Sequence, residues 1–443
     1  MKTLLISGGR VIDPSRNYDQ DADLLISEGI IEAVGKGLKT PPETEIIDAG
    51  GLVVSPGLID MHVHLRDPGY EYKEDIFSGA RAAAAGGFTA VAAMANTSPV
   101  ADDLSVIGYI RERARHAAVR IYPFGALTRG LEGKELAELG RMQAGGAVAF
   151  SDDGRPVVSG LLMRNALQYA KGIDALIIVH EEDSNLAAGG MMHEGSVSSV
   201  LGLRGIPAAA EEVLLARDLL LLKQSGGRMH IAHISTAGSV EMVRRAKAEG
   251  LTVTAEVTPH HLLLTERAVK NLGYSTNTKV NPPLRPESDR QALWAGLIDG
   301  TIDAIASDHA PHHPDDKDVE YDFAPFGIAG LETTLSLLLD ELSAGRIKKL
   351  TLPLLLEKLS TAPARILRVS GGDLQPGSPA DLTLIDPKQG FSVNPDTWYS
   401  KARNTPFAGR RLTGAAAYTI VGGQVVMKRG VVTEEEPLLR WQA

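Results

Sequence analysis

The sequence predicts an α/β fold, a (β/α)8 TIM-like barrel with a small β-sandwich formed by the N- and C-terminal segments. Three observations predict it. The first 55 residues carry short strand and turn signals, the middle alternates apolar runs with amphipathic segments, and strand signals return after residue 370. Repeated strand-then-helix units imply a parallel sheet, and about seven or eight of them suit a closed barrel better than an open sheet.

The N-terminal segment is typical of a small antiparallel β unit. Gly-Gly, Asp-Pro and Glu-Gly steps mark its reversals. Its predicted strand segments are TLLISG (3–8), GRVIDP (9–14), ADLLISEGIIEAVG (22–35) and TEIIDAGGLVVSPG (44–57).

From residue 60 onward, apolar runs alternate with Ala- and Leu-rich amphipathic segments, which predicts buried strands followed by helices. The predicted strands include FTAVAAMAN (88–96), RIYPFGAL (120–127), GAVAFSDD (146–153), ALIIVHEE (175–182), RMHIAHIS (228–235), TVTAEVTPH (252–260) and DAIASDHAP (303–311). The predicted helices include DIFSGARAAAAGG (75–87), SVIGYIRERARHAA (105–118), GLLMRNALQYAKG (160–172), AAAEEVLLARDLLLLKQSG (208–226) and GSVEMVRRAKAEG (238–250).

A helical stretch at 352–367 is followed by two further strand signals, ADLTLIDP (380–387) and AAYTIVGGQVVMKRGVV (416–432). Because chain termini often lie close together in space, we expect both ends to form one discontinuous domain. The predicted domains are therefore a β-sandwich of residues 1–55 and 370–443 and a metal-dependent catalytic barrel of residues 56–369.

Composition excludes several classes of function. The 45 basic and 55 acidic residues leave a formal charge of −10, and no basic stretch suited to a phosphate backbone occurs, which argues against nucleic acid as a partner. The chain has no cysteine, so any transition metal must be held by His and carboxylate groups. Charges interrupt every long apolar run and no signal-peptide cleavage region is present, so we expect a cytoplasmic protein with no membrane partner.

The sharpest local motif is Asp60-Met61-His62-Val63-His64, which follows an apolar run. In a strand, residues two apart point to the same face, so His62 and His64 can converge on one metal ion. Two histidines at this spacing also occur by chance, so the motif alone leaves a metal site undecided.

Later apolar runs end in residues of the same kind, namely His180, His233 and Asp308. The carboxyl ends of barrel strands meet on one face, where the active sites of such barrels lie. Their recurrence favours a metal centre over isolated buried histidines. His230 is the nearest competitor of His233, but it lies earlier in the same run.

Another run ends in an acidic pair, Asp152 and Asp153, followed by glycine. Such a pair is often a solvated turn. Beside several imidazoles, a carboxylate can instead bridge two cations. Residue pattern alone does not choose between these interpretations. The motifs of serine hydrolases, P-loop nucleotidases and HExxH zinc proteases are missing from the sequence.

A series of motifs resembles the bacterial-type dihydroorotases of the amidohydrolase superfamily. The likeness covers essentially the whole chain, and the motifs occur in the family's order. They are HVHLRDPG (62–69), MANTSP (94–99), FSDDG (150–154), VHEED (179–183), HIAHIST (230–236), TPHHL (258–262), KVNPPLR (279–285), SDHAPH (307–312) and APFGIAGLET (324–333). One departure is Ala95, where the family usually has proline.

The resemblance implies reversible cyclisation of N-carbamoyl-aspartate to dihydroorotate, a step of pyrimidine synthesis. It also implies a small-molecule substrate and a centre with two Zn2+ sites, with the occupancy of the second site left open. A homodimer and an assembly with aspartate transcarbamoylase are both open as partners. In many relatives a carbamylated lysine bridges the ions, whereas here no lysine lies near FSDDG, which favours an aspartate bridge. The implied ligands are His62, His64 and Asp308 for one ion, His180 and His233 for the other, and Asp153 between them.

The same resemblance assigns the remaining site residues. Asp308 would move the proton between the attacking water and the leaving nitrogen. Arg66, Asn96 and His312 are expected to bind the substrate's carboxylate, and Asn281 and the backbone at Pro325, Phe326 and Gly327 are expected around its ring. For Arg66 the alternative is an ion pair with Asp67 or another acid. The competing functions are hydrolysis of another cyclic ureide, as in allantoinases and hydantoinases, and a metal-poor scaffold that only assembles with the transcarbamoylase.

Overall fold

The computed structural model describes residues 3–433, whose strands form a terminal sheet, a barrel sheet and a short parallel pair. Five strands precede the barrel and belong to the terminal sheet. In chain order they are β1 (Thr3–Asp13), β2 (Tyr18–Ser27), β3 (Ile30–Gly35), β4 (Glu45–Asp48) and β5 (Val53–Pro56).

The two segments predicted as separate strands at 3–8 and 9–14 are one strand, β1, so the predicted reversal there is wrong. The register between β1 and β2 shifts between Ile6 and Gly9. Gly8 has a φ of +74°, a backbone conformation that glycine adopts readily. It lies in a β-bulge within β1, at the place where a turn was expected.

Eight parallel strands form the barrel, as the alternation of apolar and amphipathic segments predicted. Strands such as β7 (Phe88–Ala93) and β10 (Leu176–Val179) are buried along their whole length, which explains their continuous apolar sequences. The barrel strands are β6 (Leu58–Val63), β7 (Phe88–Ala93), β8 (Arg120–Gly125), β9 (Ala149–Ser151), β10 (Leu176–Val179), β13 (Arg228–Ile231), β14 (Val253–Val257) and β15 (Ala304–Ile305). The short pair is β11 (Met192–His193) and β12 (Gly205–Ile206).

The barrel strands are ordered β6-β7-β8-β9-β10-β13-β14-β15. A parallel bridge between Val63 and His309 joins the first strand to the segment after the last. The backbone N–H of His64 also donates to the carbonyl oxygen of His309 at 2.9 Å. These contacts bring the two ends of the sheet together at the carboxyl end of the barrel.

Helices follow most barrel strands, and polar caps fix where several of them begin. Asp75, for example, accepts hydrogen bonds from the first-turn N–H groups of Phe77 and Ser78. The helices are α1 (Ile76–Gly86), α2 (Leu104–Ala114), α3 (Leu139–Ala144), α4 (Gly160–Gly172), α5 (Ser184–Ala187), α6 (Ser196–Leu201), α7 (Ala208–Ser225), α8 (Ala237–Ala248), α9 (Pro259–Leu263), α10 (Arg267–Asn271), α11 (Glu287–Asp299), α12 (Pro314–Lys317), α13 (Thr334–Ser343), α14 (Leu352–Leu356) and α15 (Ala362–Leu367).

The last strands return to the terminal sheet, which confirms the expectation that both ends of the chain join. They are β16 (Leu382–Ser392), β17 (Arg411–Val421), β18 (Gln424–Lys428) and β19 (Val431–Val432). Strand β16 pairs with β5 antiparallel, with Leu382 opposite Pro56. The domain boundaries at residues 55 and 370 stay a prediction, and residues 434–443 of that predicted domain lie outside the described residues.

A shared apolar core holds the terminal sheet together. It contains Leu4 and Leu24 from the N-terminal strands and Leu382 and Ile420 from the C-terminal strands. Among residues 3–433, no helix is both long and apolar enough to span a bilayer.

Candidate metal centre

The predicted metal-ligating side chains all lie at the carboxyl end of the barrel. Their positions follow from topology, because parallel strands end on the same face. They occupy the end of β6 and the residue beyond it (His62 and His64), the segments after β9, β10 and β13 (Asp153, His180 and His233), and the segment after β15 (Asp308).

His62, His64 and Asp153 form one buried group whose candidate ligand atoms lie within 4.8 Å of one another. The Nε2 atom of His62 is 3.6 Å from Oδ1 of Asp153, and Nε2 of His64 is 3.5 Å from Oδ2 of the same carboxylate. The two histidines thus face opposite oxygens of one aspartate.

Asp153, His180 and His233 form a second such group. Nδ1 of His180 and Nε2 of His233 each lie 3.4 Å from Oδ1 of Asp153, and these two nitrogens are 3.0 Å apart. Asp153 therefore belongs to both groups, which is the position expected of a bridging ligand.

Asp308 lies beside the first group. Its Oδ1 atom is 3.1 Å from Nε2 of His64 and 3.4 Å from Nε2 of His62. The sequence-predicted set of six ligands is thus brought to one place, with Asp308 next to the histidines of the β6 motif.

The acidic side chains of this cluster are held in their ionised forms. Burial alone would raise the pKa of Asp153, but the facing histidines, His62 foremost, hold that pKa well below its usual range. Burial is likewise outweighed at Asp308, where His62 and His64 lower the pKa to about 2. The carboxylates in turn raise the pKa of His62 despite its burial.

The donor set fits a divalent transition metal. Among residues 3–433, Nε2 of His62 and Nδ1 of His233 are buried without a hydrogen-bond partner, which is costly unless another ligand satisfies them. Imidazole nitrogens and carboxylate oxygens are the ligands that zinc takes where no thiolate is present. The two groups could therefore hold metal ions.

Glu256, on β14, orients the β6 histidine and was not predicted. Its Oε1 lies 2.6 Å from Nδ1 of His62; because a carboxylate can only accept, Nδ1 carries a proton and Nε2 points to the cluster. His230, the competitor of His233, contacts Glu256 and Thr254 instead of the cluster. Glu256 is a single acidic residue within the apolar run TVTAEVTPH, so no spacing in the sequence indicated that it has a role at the site.

The other acid of the FSDDG motif has a different role. Asp152 accepts hydrogen bonds from the backbone N–H groups of Leu127 and Thr128 and from the Thr128 hydroxyl. It anchors the loop that follows β8, which leaves Asp153 as the acid that faces the histidines.

Three of the predicted substrate contacts line a cavity of about 310 Å³ beside Asp153, namely Arg66, Asn96 and His312. Asn96 accepts a hydrogen bond from Nδ1 of His64 at 2.9 Å. Asp67 pairs with Arg113 at 3.0 Å, so it is not the counterion considered for Arg66 from the sequence.

The remaining predicted contacts lie on neighbouring loops. The Nδ2 atom of Asn281 is 3.5 Å from Nε2 of His180. The carbonyl oxygen of Phe326 lies 2.8 Å from Nε2 of His312, and that of Pro325 accepts from Lys317. A side chain at Gly327 would approach Nε2 of His312 to 3.0 Å, so the close approach of this loop requires glycine.

Backbone strain is concentrated at the same face. Arg66, His233 and Asp308 have φ values of 62°, 31° and 46°, which non-glycine residues seldom adopt. Such strain is typical of sites where function fixes the direction of a side chain.

Comparison with known proteins finds relatives and solved structures that match nearly the whole chain. The Dihydro-orotase-like family matches residues 51–239. The dihydroorotase of Pelotomaculum thermopropionicum is 55% identical over 97% of this chain and 99% of the relative, and that of Geotalea daltonii is 54% identical over 96% and 99%. Among solved structures, the L-hydantoinase (dihydropyrimidinase) of Arthrobacter aurescens matches with a TM-score of 0.88, 28% identity and 98% coverage of both chains.

Proposed function

The chain belongs to the dihydroorotase family, and we propose that it is a metal-dependent dihydroorotase. It catalyses the reversible conversion of (S)-dihydroorotate to N-carbamoyl-L-aspartate in pyrimidine biosynthesis. The observation that carries this function is its 55% identity to a dihydroorotase over 97% of the chain.

We further propose that the cluster holds two zinc ions. His62, His64 and Asp308 would bind one ion, His180 and His233 the other, and Asp153 would bridge them. The position of Asp153 within 3.6 Å of all four histidines supports the bridge. When bound, zinc supplies Lewis acidity, which lowers the pKa of a water molecule and polarises an amide carbonyl.

The chain's own groups then handle the proton. In the hydrolytic direction, a C–O bond forms to the ring carbonyl carbon and the C–N bond breaks. Asp308 accepts the proton released by the water molecule and delivers it to the leaving nitrogen, so the same carboxylate serves the reverse reaction. Its two contacts with His64 and His62 fix the position of the carboxylate at the cluster.

The substrate's free carboxylate would bind in the cavity beside Asp153. Arg66 offers a planar guanidinium, which suits a bidentate contact with a carboxylate. Asn96 supplies a side-chain amide to the same cavity. His312 lines that cavity as well and would contact the carboxylate, while Asn281 and the backbone at 325–327 would surround the ring.

Hydantoinase activity is the competing function, because a hydantoinase matches the fold with a TM-score of 0.88. Two features favour dihydroorotate. An aspartate occupies the place between the histidines, and cationic side chains line the adjoining cavity. Hydantoin has no carboxylate to bind those cations.

Side-by-side assays test this assignment. The zinc-loaded protein is assayed across pH 6–9 with dihydroorotate, N-carbamoyl-aspartate, hydantoin and allantoin. We expect turnover of the first two and little of the others. A preference for hydantoin or allantoin, or failure to convert dihydroorotate, would refute the assignment.

We propose a cytoplasmic location and two assemblies for this chain, one with a second copy of itself and one with aspartate transcarbamoylase. Sedimentation of the purified protein, alone and mixed with the transcarbamoylase, tests them. Sedimentation as a monomer in both samples would contradict both partners.

A further inference from the structure

The cavity beside Asp153 contains a cationic side chain that the proposed mechanism does not use. Lys73 lines it together with Arg66, Asn96 and His312. The lysine side chain is 18% exposed, and it lies in the loop between β6 and α1. Its ammonium group is therefore close to the predicted carboxylate site but belongs to a different loop from His312.

The contacts of His312 define what each of its ring nitrogens does. Nε2 lies 2.8 Å from the carbonyl oxygen of Phe326. Because a carbonyl can only accept, Nε2 carries the ring proton and Nδ1 presents a lone pair. The Nζ atom of Lys73 lies 3.4 Å from that Nδ1, in position to donate to it.

His312 is consequently a neutral ring whose two nitrogens are both engaged within the protein. Burial, together with the charges of Arg66, Lys317 and Lys73, lowers the pKa of His312 to about 2. The charged donors that line the cavity are Lys73, Arg66 and the exposed Arg155, and of these Lys73 and Arg66 adjoin the His312 segment.

Lys73 pairs with an acid that is itself partly exposed. Its nearest acid is Asp316, with Nζ 3.0 Å from Oδ2, and that aspartate is 30% exposed. An ammonium group has three protons, so contacts with Asp316 and His312 leave one for a ligand. Arg66 uses its Nε to donate to the carbonyl oxygen of Pro311. An anion between these two cations would gain charge-assisted hydrogen bonds from both.

We propose that Lys73 is a substrate-binding residue that contacts, with Arg66, the carboxylate common to dihydroorotate and N-carbamoyl-aspartate. This inference rests on the proposed function. His312 contacts the ammonium group of Lys73 from one side and the carbonyl oxygen of Phe326 from the other, so it helps to fix the direction of the lysine.

Lys73→Met removes the charge while keeping an unbranched side chain of similar length. We expect the KM for dihydroorotate to rise about 10- to 100-fold with kcat within about twofold, because a charge-assisted hydrogen bond to the substrate is lost. Lys73→Arg should recover part of the affinity. Lys223→Met, a matched loss of a surface lysine that pairs with Glu249, should leave both constants unchanged.

Asp316→Asn separates substrate binding from a purely structural role. If Lys73 mattered only by anchoring the loop of Asp316, this variant would reproduce the defect of Lys73→Met. We expect instead an unchanged or lower KM, because the ammonium group loses a competing anion. A raised KM in Asp316→Asn equal to that of Lys73→Met would overturn the inference.

Calorimetric titration with orotate, which carries the carboxylate, gives a readout that needs no turnover. Lys73→Met should weaken orotate binding by about the same factor as it raises KM. Normal orotate affinity in that variant would refute the role of Lys73 while leaving the proposed function intact. A wild-type protein that neither converts dihydroorotate nor binds orotate would refute both.

Discussion

The two faces of the barrel differ in how completely their buried polar groups are hydrogen-bonded. Where the barrel meets the terminal sheet, polar groups are paired. Asp381, on the segment before β16, accepts hydrogen bonds from Nε of Arg120 at 2.6 Å and from the backbone N–H of Gly422 at 2.7 Å. The Thr383 hydroxyl nearby donates to the carbonyl oxygen of Gly87 at 2.6 Å.

At the carboxyl end, buried groups are left unsatisfied and the backbone is strained. Within residues 3–433, Nε2 of His62 and Nδ1 of His233 are buried and lack a hydrogen-bond partner, and His233 and Asp308 have positive φ values. An unpaired buried polar group costs roughly 1–3 kcal/mol, so this face is stable only as part of a fold that is held together elsewhere. The paired groups between the barrel and the terminal sheet stabilise the fold, and the carboxyl end carries the groups proposed to act in catalysis.

Replacing Asp308 should produce the largest effect on function. Asp308→Asn is expected to lower kcat by about 10²- to 10⁴-fold, because the amide cannot take the proton. Its circular dichroism spectrum should match that of the wild type, because the residue lies on the functional face. Activity within tenfold of the wild type would mean that another group moves the proton.

Asp153→Asn tests whether the two groups share a ligand. Loss of a residue that only orients a metal ligand typically weakens metal affinity about 10- to 100-fold. Loss of a ligand shared by both groups should therefore weaken metal affinity by at least that factor. We expect both the zinc content per chain and the activity to fall. Asp152→Asn is the matched control and should keep its metal, since Asp152 anchors a loop. Full zinc content in Asp153→Asn would contradict the shared position.

Asp381→Asn should damage stability and spare activity. Breaking a largely buried ion pair whose carboxylate also accepts a backbone N–H is expected to cost about 3–5 kcal/mol in the free energy of unfolding. The kcat of the folded protein should stay within about twofold of wild type. Denaturant titration and steady-state kinetics check the two quantities separately. A large loss of kcat without loss of stability would remove the distinction between the two faces.

A smaller, pH-dependent effect is expected at Glu332, whose carboxylate accepts from the backbone N–H of Ser400. Burial raises the pKa of Glu332 to about 8, whereas an unfolded chain leaves glutamate near ~4.3. Between these values the folded protein holds a proton that the unfolded chain releases, so this group's contribution to stability falls as pH rises from about 5 to 8.

Glu332→Gln removes that titration. The melting temperature of the variant relative to wild type should therefore increase between pH 5 and pH 9. A difference that is constant with pH would show that Glu332 is ionised in the folded protein.

Topology explains why so much of the site could be predicted. Once the strands are parallel, residues at their carboxyl ends must meet, so His180 and Asp308 could be grouped although 128 positions separate them in the sequence. The pairing of the two chain ends followed from their shared strand patterns. The choice of Asp153 over Asp152, by contrast, came from resemblance, because in a turn pattern the two acids are equivalent.

Other features depend on contacts that carry no local pattern. Lys73 meets His312 across 239 residues of sequence, through loops whose paths no periodicity defines. Glu256 is one acid in an apolar run, and only its contact with His62 reveals its role. The bulge at Gly8 was missed because Gly-Gly is equally typical of a reversal and of a bulge within one strand.

The central claim is that the carboxyl-end cluster binds metal, and anomalous scattering at the zinc edge from crystals of the zinc-loaded protein tests it most directly. We expect two peaks, each about 2.0–2.2 Å from its ligands. One should lie among His62, His64 and Asp308, the other beside His180 and His233, with Asp153 between them. Active, zinc-replete protein with no peak at this cluster would contradict the claim.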